Sequence, residues 1–92
     1  MIRVKITDRN GLHARPAGLV TSIAQAYPGE VFLEKGHERC NAKNIFAVMA
    51  LEAEYGDFVN VIACGKNSEK IEKEIEKAIQ GFDEASSGER SF

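Results

Sequence analysis

Tryptophan is absent from this chain, and cysteine, methionine and proline occur only twice each. Two cysteines cannot build a disulfide framework, and Cys40 and Cys64 lie at no zinc-ligand spacing, so we expect both thiols to be reduced, buried and structural. No apolar run approaches the roughly 20 residues of a membrane span, and the N-terminal residues alternate instead of forming a signal-peptide core. The sequence therefore predicts a cytoplasmic protein with no metal ion, no cofactor and no membrane partner.

The chain also lacks a strong excess of charge of either sign. Its 92 residues carry 12 Lys+Arg and 14 Asp+Glu, a net charge of −2, which argues against a general nucleic-acid binder. The charge is unevenly spread, because residues 1–50 are net positive and the remainder is net negative. We therefore expect an anionic ligand to prefer the first half of the chain.

Hydrophobic periodicity predicts the element order β-α-β-β-α-β-α. Four strands that can be polar on one side, together with two long amphipathic helices, favour an α+β fold in which helices pack on one face of a four-stranded antiparallel sheet. The predicted strands cover residues 2–7, 31–33, 37–42 and 58–64. The first predicted helix begins near Arg15, the second covers residues 45–52, and the third is capped by Asn67 or Ser68.

The domain organisation is simple. A chain of 92 residues with 43% hydrophobic residues suits a single folded unit. Residues 1–82 are predicted to form this domain. Residues 83–92 are rich in serine and charge without any period, so we expect them to form a disordered tail.

One segment carries the candidate chemistry. Residues 11–17 read Gly-Leu-His-Ala-Arg-Pro-Ala and place His13 immediately before a helix start, with Arg15 two residues later and Pro16 in the first turn. The N–H groups and the dipole of a helix start attract anions, and a guanidinium matches phosphate oxygens. No Asp, Glu, Ser or Cys stands beside His13 in sequence to suggest a catalytic triad, so accepting and passing on a phosphoryl group fits better than hydrolysis. The plainer alternative is that His13 and Arg15 are ordinary helix-start residues.

This segment, preceded by Asn10, resembles the active-site signature of the HPr family, the histidine-containing phosphocarrier proteins of bacterial sugar phosphotransferase systems. The resemblance continues through residues 41–43 and 45–51 to the last strand and helix, and only the tail falls outside it. It implies an open-faced β-sandwich and a carrier without turnover of its own. His13 would be phosphorylated on its pros nitrogen by enzyme I, charged from phosphoenolpyruvate, and would pass the group to a histidine of a sugar-specific enzyme IIA.

The resemblance also implies roles for the neighbouring residues. Arg15 would steady the phosphoryl oxygens, and the supporting residues would be Asn10, Ala14, Pro16 and Ala17. Partner docking would fall to Gly18, Ile45, Phe46 and Met49. Pattern alone leaves open whether Ile45, Phe46 and Met49 are buried or exposed, and the resemblance favours exposure, since a carrier must dock on several partners in turn. A shuttle of this kind is expected to be a monomer.

The sequence departs from the family at Asn44. Many Gram-positive HPr proteins have a serine here that a dedicated kinase phosphorylates, whereas asparagine can cap a helix but has no hydroxyl. This regulatory site is therefore predicted to be absent. A nitrogen-related or other paralogous phosphotransferase chain, or a regulatory module that only docks, remains an alternative. A small-molecule-binding domain would leave residues 11–17 unexplained.

Overall fold

The computed structural model describes residues 1–81, and its elements follow the predicted order. The predicted tail over 83–92 lies outside these residues, as does Phe82, which periodicity had placed on the last helix. A short π-helical segment, Lys77–Gly81, continues the last helix. The strands are β1 (Ile2–Lys5), β2 (Glu30–Lys35), β3 (Glu38–Asn41) and β4 (Phe58–Cys64), and the helices are α1 (Ala14–Ala26), α2 (Ile45–Ala50) and α3 (Ser68–Glu76).

The four strands form one sheet in the order β1-β4-β2-β3, and every neighbouring pair is antiparallel. Val61 of β4 pairs with Ile2 on one side and Leu33 on the other, so β4 and β2 form the centre of the sheet. Both halves of the fold prediction are confirmed: the sheet is antiparallel, and the helices cover one of its faces.

Alternation along β4 shows how the core is built. Val59, Val61 and Ala63 are buried while the residues between them are half-buried, as expected for a strand with one covered face. The helices contribute fully buried side chains such as Val20 of α1 and Ile75 of α3 to the same core. Arginine side chains lie over the aromatic rings of Phe58 and Phe32 elsewhere on the sheet, with Arg3 at 4.2 Å and Arg39 at 4.8 Å from the ring centres.

Several element ends differ from the predicted ones. The first strand ends at Lys5, but Ile6 still pairs with the segment before β4: its N–H donates to the carbonyl of Asp57, and its carbonyl accepts the N–H of Gly56. Helix α2 ends at Ala50, since Glu52 adopts a left-handed φ of 54° that no helix can continue. Asn67 precedes α3 in a left-handed conformation and its side chain makes no capping bond, so the predicted side-chain cap of this helix is wrong.

Two expectations about burial also need correction. Cys40 is half-buried, which raises the pKa of its thiol, but Cys64 is exposed at the end of β4 and is not a core residue. An amphipathic helix is expected to carry its charged residues on the solvent side, but Glu72 of α3 is 1% exposed, and its carboxylate accepts a hydrogen bond from the N–H of Ala63 at 2.9 Å. Helical periodicity could not reveal this bond, because its donor belongs to a strand.

Within residues 1–81, no helix combines the length and the apolar character that a membrane crossing requires.

Candidate functional site

The loop before α1 is held against the chain segment that follows α2. Gly11 has a φ of +73°, which suits glycine, and its N–H donates to the carbonyl of Asp8 at 2.9 Å. A Cβ at this position would lie 2.6 Å from the carbonyl oxygen of Ala53. The N–H of Leu12 donates to that same oxygen at 2.9 Å, and the Leu12 side chain is buried. The backbone immediately before His13 therefore has a fixed position.

His13 is the N-cap of α1. Its backbone is extended, and its carbonyl accepts the first intrahelical bond, from the N–H of Ala17 at 2.9 Å. The imidazole makes no capping hydrogen bond to the helix, and 34% of the side chain is exposed. The structure thus leaves the ring partly accessible at the positive end of a helix of 13 residues.

The donors at the helix start are fewer than the sequence predicted. Pro16 has no N–H, and the N–H of Ala17 is bonded to His13, so neither residue offers a donor to an anion. Both are buried and serve as packing residues. The first two residues of the helix, Ala14 and Arg15, are both exposed.

Asp8 is the residue that sequence analysis missed. Its Oδ2 atom lies 3.1 Å from Nε2 of His13, although no acidic partner was expected beside the histidine. Its Oδ1 atom accepts the N–H of Asn10 at 2.8 Å. The backbone of Asn10 therefore fixes the carboxylate that faces the ring, and the predicted role of Asn10 towards a phosphoryl group stays a prediction. The two residues are five positions apart, and this spacing alone does not predict a contact, because only the path of the intervening turn brings the side chains together.

The surroundings of Asp8 favour the ionised form of its carboxylate. The N–H of Asn10 lowers the pKa of Asp8 below its ordinary value of 3.8, burial opposes this, and the bond to His13 and the charges of His13 and Arg15 lower the pKa further. Asp8 is only 8% exposed, so little water competes for it. The imidazole of His13 and the carboxylate of Asp8 thus meet at the start of α1, with Arg15 two residues further along the chain.

The predicted docking residues divide into two kinds. Phe46 is 79% exposed and Met49 is 39% exposed. Ile45 is half-buried and packs against the core, with its Cδ1 only 3.8 Å from where a Cβ on Gly18 would lie, so it is a contact between α1 and α2 and not a free surface residue. Leu19, which was not predicted, is 39% exposed on α1. The name apolar patch is used below for Leu19, Phe46 and Met49.

Helix α2 runs back along α1 towards His13. Near the end of α1, Gln25 donates to the carbonyl of Lys43 at 3.0 Å. Further along, Ile45 packs against Gly18, and beyond α2 the carbonyl of Ala53 accepts the N–H of Leu12. The apolar patch therefore lies on helices whose mutual contacts lead towards the end of α1 that carries His13.

The rest of residues 1–81 offers little competing chemistry. No group of three or more His, Cys, Asp or Glu side chains there could hold a metal ion. His37 is exposed in the turn between β2 and β3, as predicted. The arrangement around His13 therefore suits a histidine that receives a phosphoryl group and is supported by hydrogen-bond donors.

Comparison with known proteins agrees with this geometry. The family described as "PTS HPr component phosphorylation site" matches residues 2–81. The HPr-like protein Crh of Bacillus subtilis is 33% identical over 78 residues, which cover 85% of this chain and 92% of that protein. The phosphocarrier protein HPr of Treponema pallidum is 33% identical over 77 residues, covering 84% and 88%.

Solved structures show the same fold. The histidine-containing phosphocarrier protein of Mycoplasma superposes with a TM-score of 0.81 at 26% identity and covers 88% of this chain and 92% of its own. HPr of Thermoanaerobacter tengcongensis gives a TM-score of 0.80 at 32% identity, with 96% and 94% covered. Fold and matches together define a phosphocarrier of the phosphotransferase system, a protein without independent catalytic turnover. The chain belongs to the HPr family.

Proposed function

We propose that this protein accepts a phosphoryl group on His13 from enzyme I charged with phosphoenolpyruvate and passes it to a histidine of a sugar-specific enzyme IIA. The observation that carries the proposal is the position of His13, a partly exposed imidazole at the N-cap of α1, where the N-terminus of the helix favours an anion. No second nucleophile is needed, since the imidazole itself forms the phosphorus–nitrogen bond.

Each partner must reach His13, so the docking surface has to lie next to it. The apolar patch meets this condition, because Phe46 and Met49 are exposed on the helix that runs towards the site. A flexible methionine beside a large aromatic residue suits a surface that binds different partners in succession. We propose that a monomer in the cytoplasm uses this one surface for both enzyme I and enzyme IIA.

We propose that this protein is not regulated by phosphorylation of a serine at the start of α2. Asn44 caps α2, with its side-chain oxygen accepting the N–H groups of Phe46 at 2.9 Å and Ala47 at 3.2 Å. An amide does the structural work of a serine hydroxyl there and offers no group that a kinase could phosphorylate. The protein would therefore carry phosphate on histidine alone.

A regulatory module of the same fold is the second candidate, because the HPr-like proteins named Crh match this chain as well as a phosphocarrier HPr does. A paralogous phosphotransferase chain, such as a nitrogen-related one, is the other alternative that the sequence leaves open. The pairing of His13 with Asp8 favours phosphoryl transfer, since a module that only docks has no need of an oriented imidazole.

The proposal is tested by incubating the purified protein with enzyme I, magnesium and phosphoenolpyruvate and recording its intact mass. One acid-labile phosphoryl group is expected on the wild type and none on His13→Ala. The matched control is His37→Ala, which removes the other histidine and should gain the group like the wild type. Phosphate on His13→Ala would reject His13 as the acceptor, and no gain on any variant with an enzyme I that charges another HPr would favour the regulatory module.

A further inference from the structure

The contact between Asp8 and His13 carries an inference about what fixes the tautomer of the imidazole. The Oδ2 atom of Asp8 lies 3.1 Å from Nε2, and Asp8 is almost completely buried. An ionised carboxylate can only accept hydrogen bonds, so the ring nitrogen that faces it must carry the proton. In a neutral imidazole the other nitrogen then holds the lone pair.

The orientation of the Asp8 side chain is itself fixed. Its Oδ1 atom accepts the N–H of Asn10 at 2.8 Å, and its carbonyl accepts the N–H of Gly11 at 2.9 Å. The turn therefore holds one carboxylate oxygen on the backbone and directs the other at the imidazole. The backbone N–H of Asn10 can only donate, so the side-chain atom that faces it must be an acceptor. The same orientation is therefore expected for aspartate and for asparagine at position 8.

We propose that Asp8 is a positioning residue: it holds the proton of His13 on Nε2 and so keeps the lone pair on Nδ1, the pros nitrogen that the family resemblance already implies as the phosphoryl acceptor. This inference rests on the proposed function. In the step itself, the Nδ1 lone pair forms the new nitrogen–phosphorus bond while the nitrogen–phosphorus bond of the donor phosphohistidine breaks, and its electron pair returns to the donor imidazole. Nε2 keeps its proton, and the positive charge that develops on the ring faces the Asp8 carboxylate.

The tautomer of the unphosphorylated wild type is the first test, and it needs no partner protein. Long-range ¹H–¹⁵N correlation spectra of protein labelled in its histidine rings, recorded at alkaline pH where the imidazole is neutral, distinguish the two tautomers. We expect Nε2 of His13 to carry the proton. A wild type with the proton on Nδ1 would overturn the proposal.

Asp8→Asn gives a sharper second test. The amide oxygen must still accept the N–H of Asn10, so the amide NH₂ group is directed at Nε2, and a donor there requires the ring proton to move to Nδ1. We expect the tautomer to switch and phosphorylation by enzyme I to slow by more than about tenfold, as happens when a histidine is held in its wrong tautomer. An unchanged tautomer and an unchanged rate would overturn the proposal.

Asp57→Asn is the matched control. Asp57 likewise accepts a backbone N–H three residues away, that of Glu54 at 2.8 Å, but its carboxylate lies 3.7 Å from the ammonium of Lys35 and not next to His13. In the Asp57→Asn variant, the tautomer of His13 and the rate of phosphorylation by enzyme I should equal those of the wild type. If Asp8→Asn fails to fold, the wild-type spectrum alone decides. Failure of enzyme I to charge the wild type would count against the proposed function, whereas the tautomer spectra judge Asp8 separately.

Discussion

The N–H of Leu12 donates a hydrogen bond of 2.9 Å to the carbonyl of Ala53, and this bond joins the loop that carries His13 to the chain just beyond α2. The two segments are 41 positions apart in the numbering, and the same carbonyl approaches Gly11 closely. The start of α1, which carries His13, is therefore tied by a backbone contact to the segment that follows the helix bearing Phe46 and Met49. A partner that docks on the apolar patch meets an imidazole already in position.

Gly11→Ala tests the contact between the loop before α1 and the segment around Ala53. The substitution puts a Cβ 2.6 Å from the Ala53 oxygen and forces alanine into a φ of +73°. We expect it to cost about 2 kcal/mol of stability or more, from the left-handed backbone and from displacement of the Ala53 segment. Urea unfolding measures the loss, and amide chemical shifts should change at both Leu12 and Ala53.

Gly36→Ala is the control for this variant. Gly36 also has a positive φ, +60°, but a Cβ there meets nothing within 4 Å. Its cost should be limited to the backbone term of roughly 1–2 kcal/mol. Equal losses for the two substitutions would show that the Ala53 contact adds nothing.

Much of this arrangement could be predicted from sequence because it depends on local patterns. Apolar alternation gave the strands, and the cap at Asn44 followed from residue type and position, since its oxygen does accept two N–H groups of α2. The pairing of Asp8 with His13 could not be predicted, because it depends on the path of a turn. The burial of Glu72 and of Ile45 depends on contacts with other elements, which periodicity within one helix does not describe.

Phe46→Ala separates docking from folding. Since the side chain is 79% exposed, we expect thermal stability to be almost unchanged, while binding to enzyme I weakens by more than about 1 kcal/mol, or roughly fivefold in Kd. Calorimetric titration and thermal unfolding provide the two measurements. Val48→Ala on the same helix is the control: Val48 is fully buried, so its loss should cost about 2 kcal/mol of stability. A large stability loss for Phe46→Ala with unchanged binding would make Phe46 a core residue.

Asn44 substitutions test the cap of α2 and the missing hydroxyl together. Asn44→Ala removes the acceptor for Phe46 and Ala47 and should destabilise the protein by about 1 kcal/mol, whereas Asn44→Ser should stay within about 0.5 kcal/mol of the wild type. Incubation with an HPr serine kinase and ATP should leave the wild type without acid-stable phosphate. Such phosphate on the wild type would contradict the account.

The Asp8 carboxylate should make stability depend on pH in acid. Because its pKa is lower in the folded protein than the ordinary 3.8, its contribution is fully present above about pH 5 and is lost as the pH falls through the lower folded value. The difference in unfolding free energy between wild type and Asp8→Asn should therefore shrink as the pH falls below about 5. Urea unfolding at several pH values measures this. A difference that stays constant or grows in acid would show that the folded protein does not favour the ionised carboxylate.

The most direct test of the central claim is a transfer measurement with phosphorus-labelled protein. The protein is charged by enzyme I and labelled phosphoenolpyruvate, purified, and mixed with a sugar-specific enzyme IIA that accepts phosphate from a known HPr. The account predicts that label leaves this protein and appears in equal amount on the IIA histidine, with none carried by His13→Ala. Label that never moves to the acceptor, or that His13→Ala carries equally well, would contradict it.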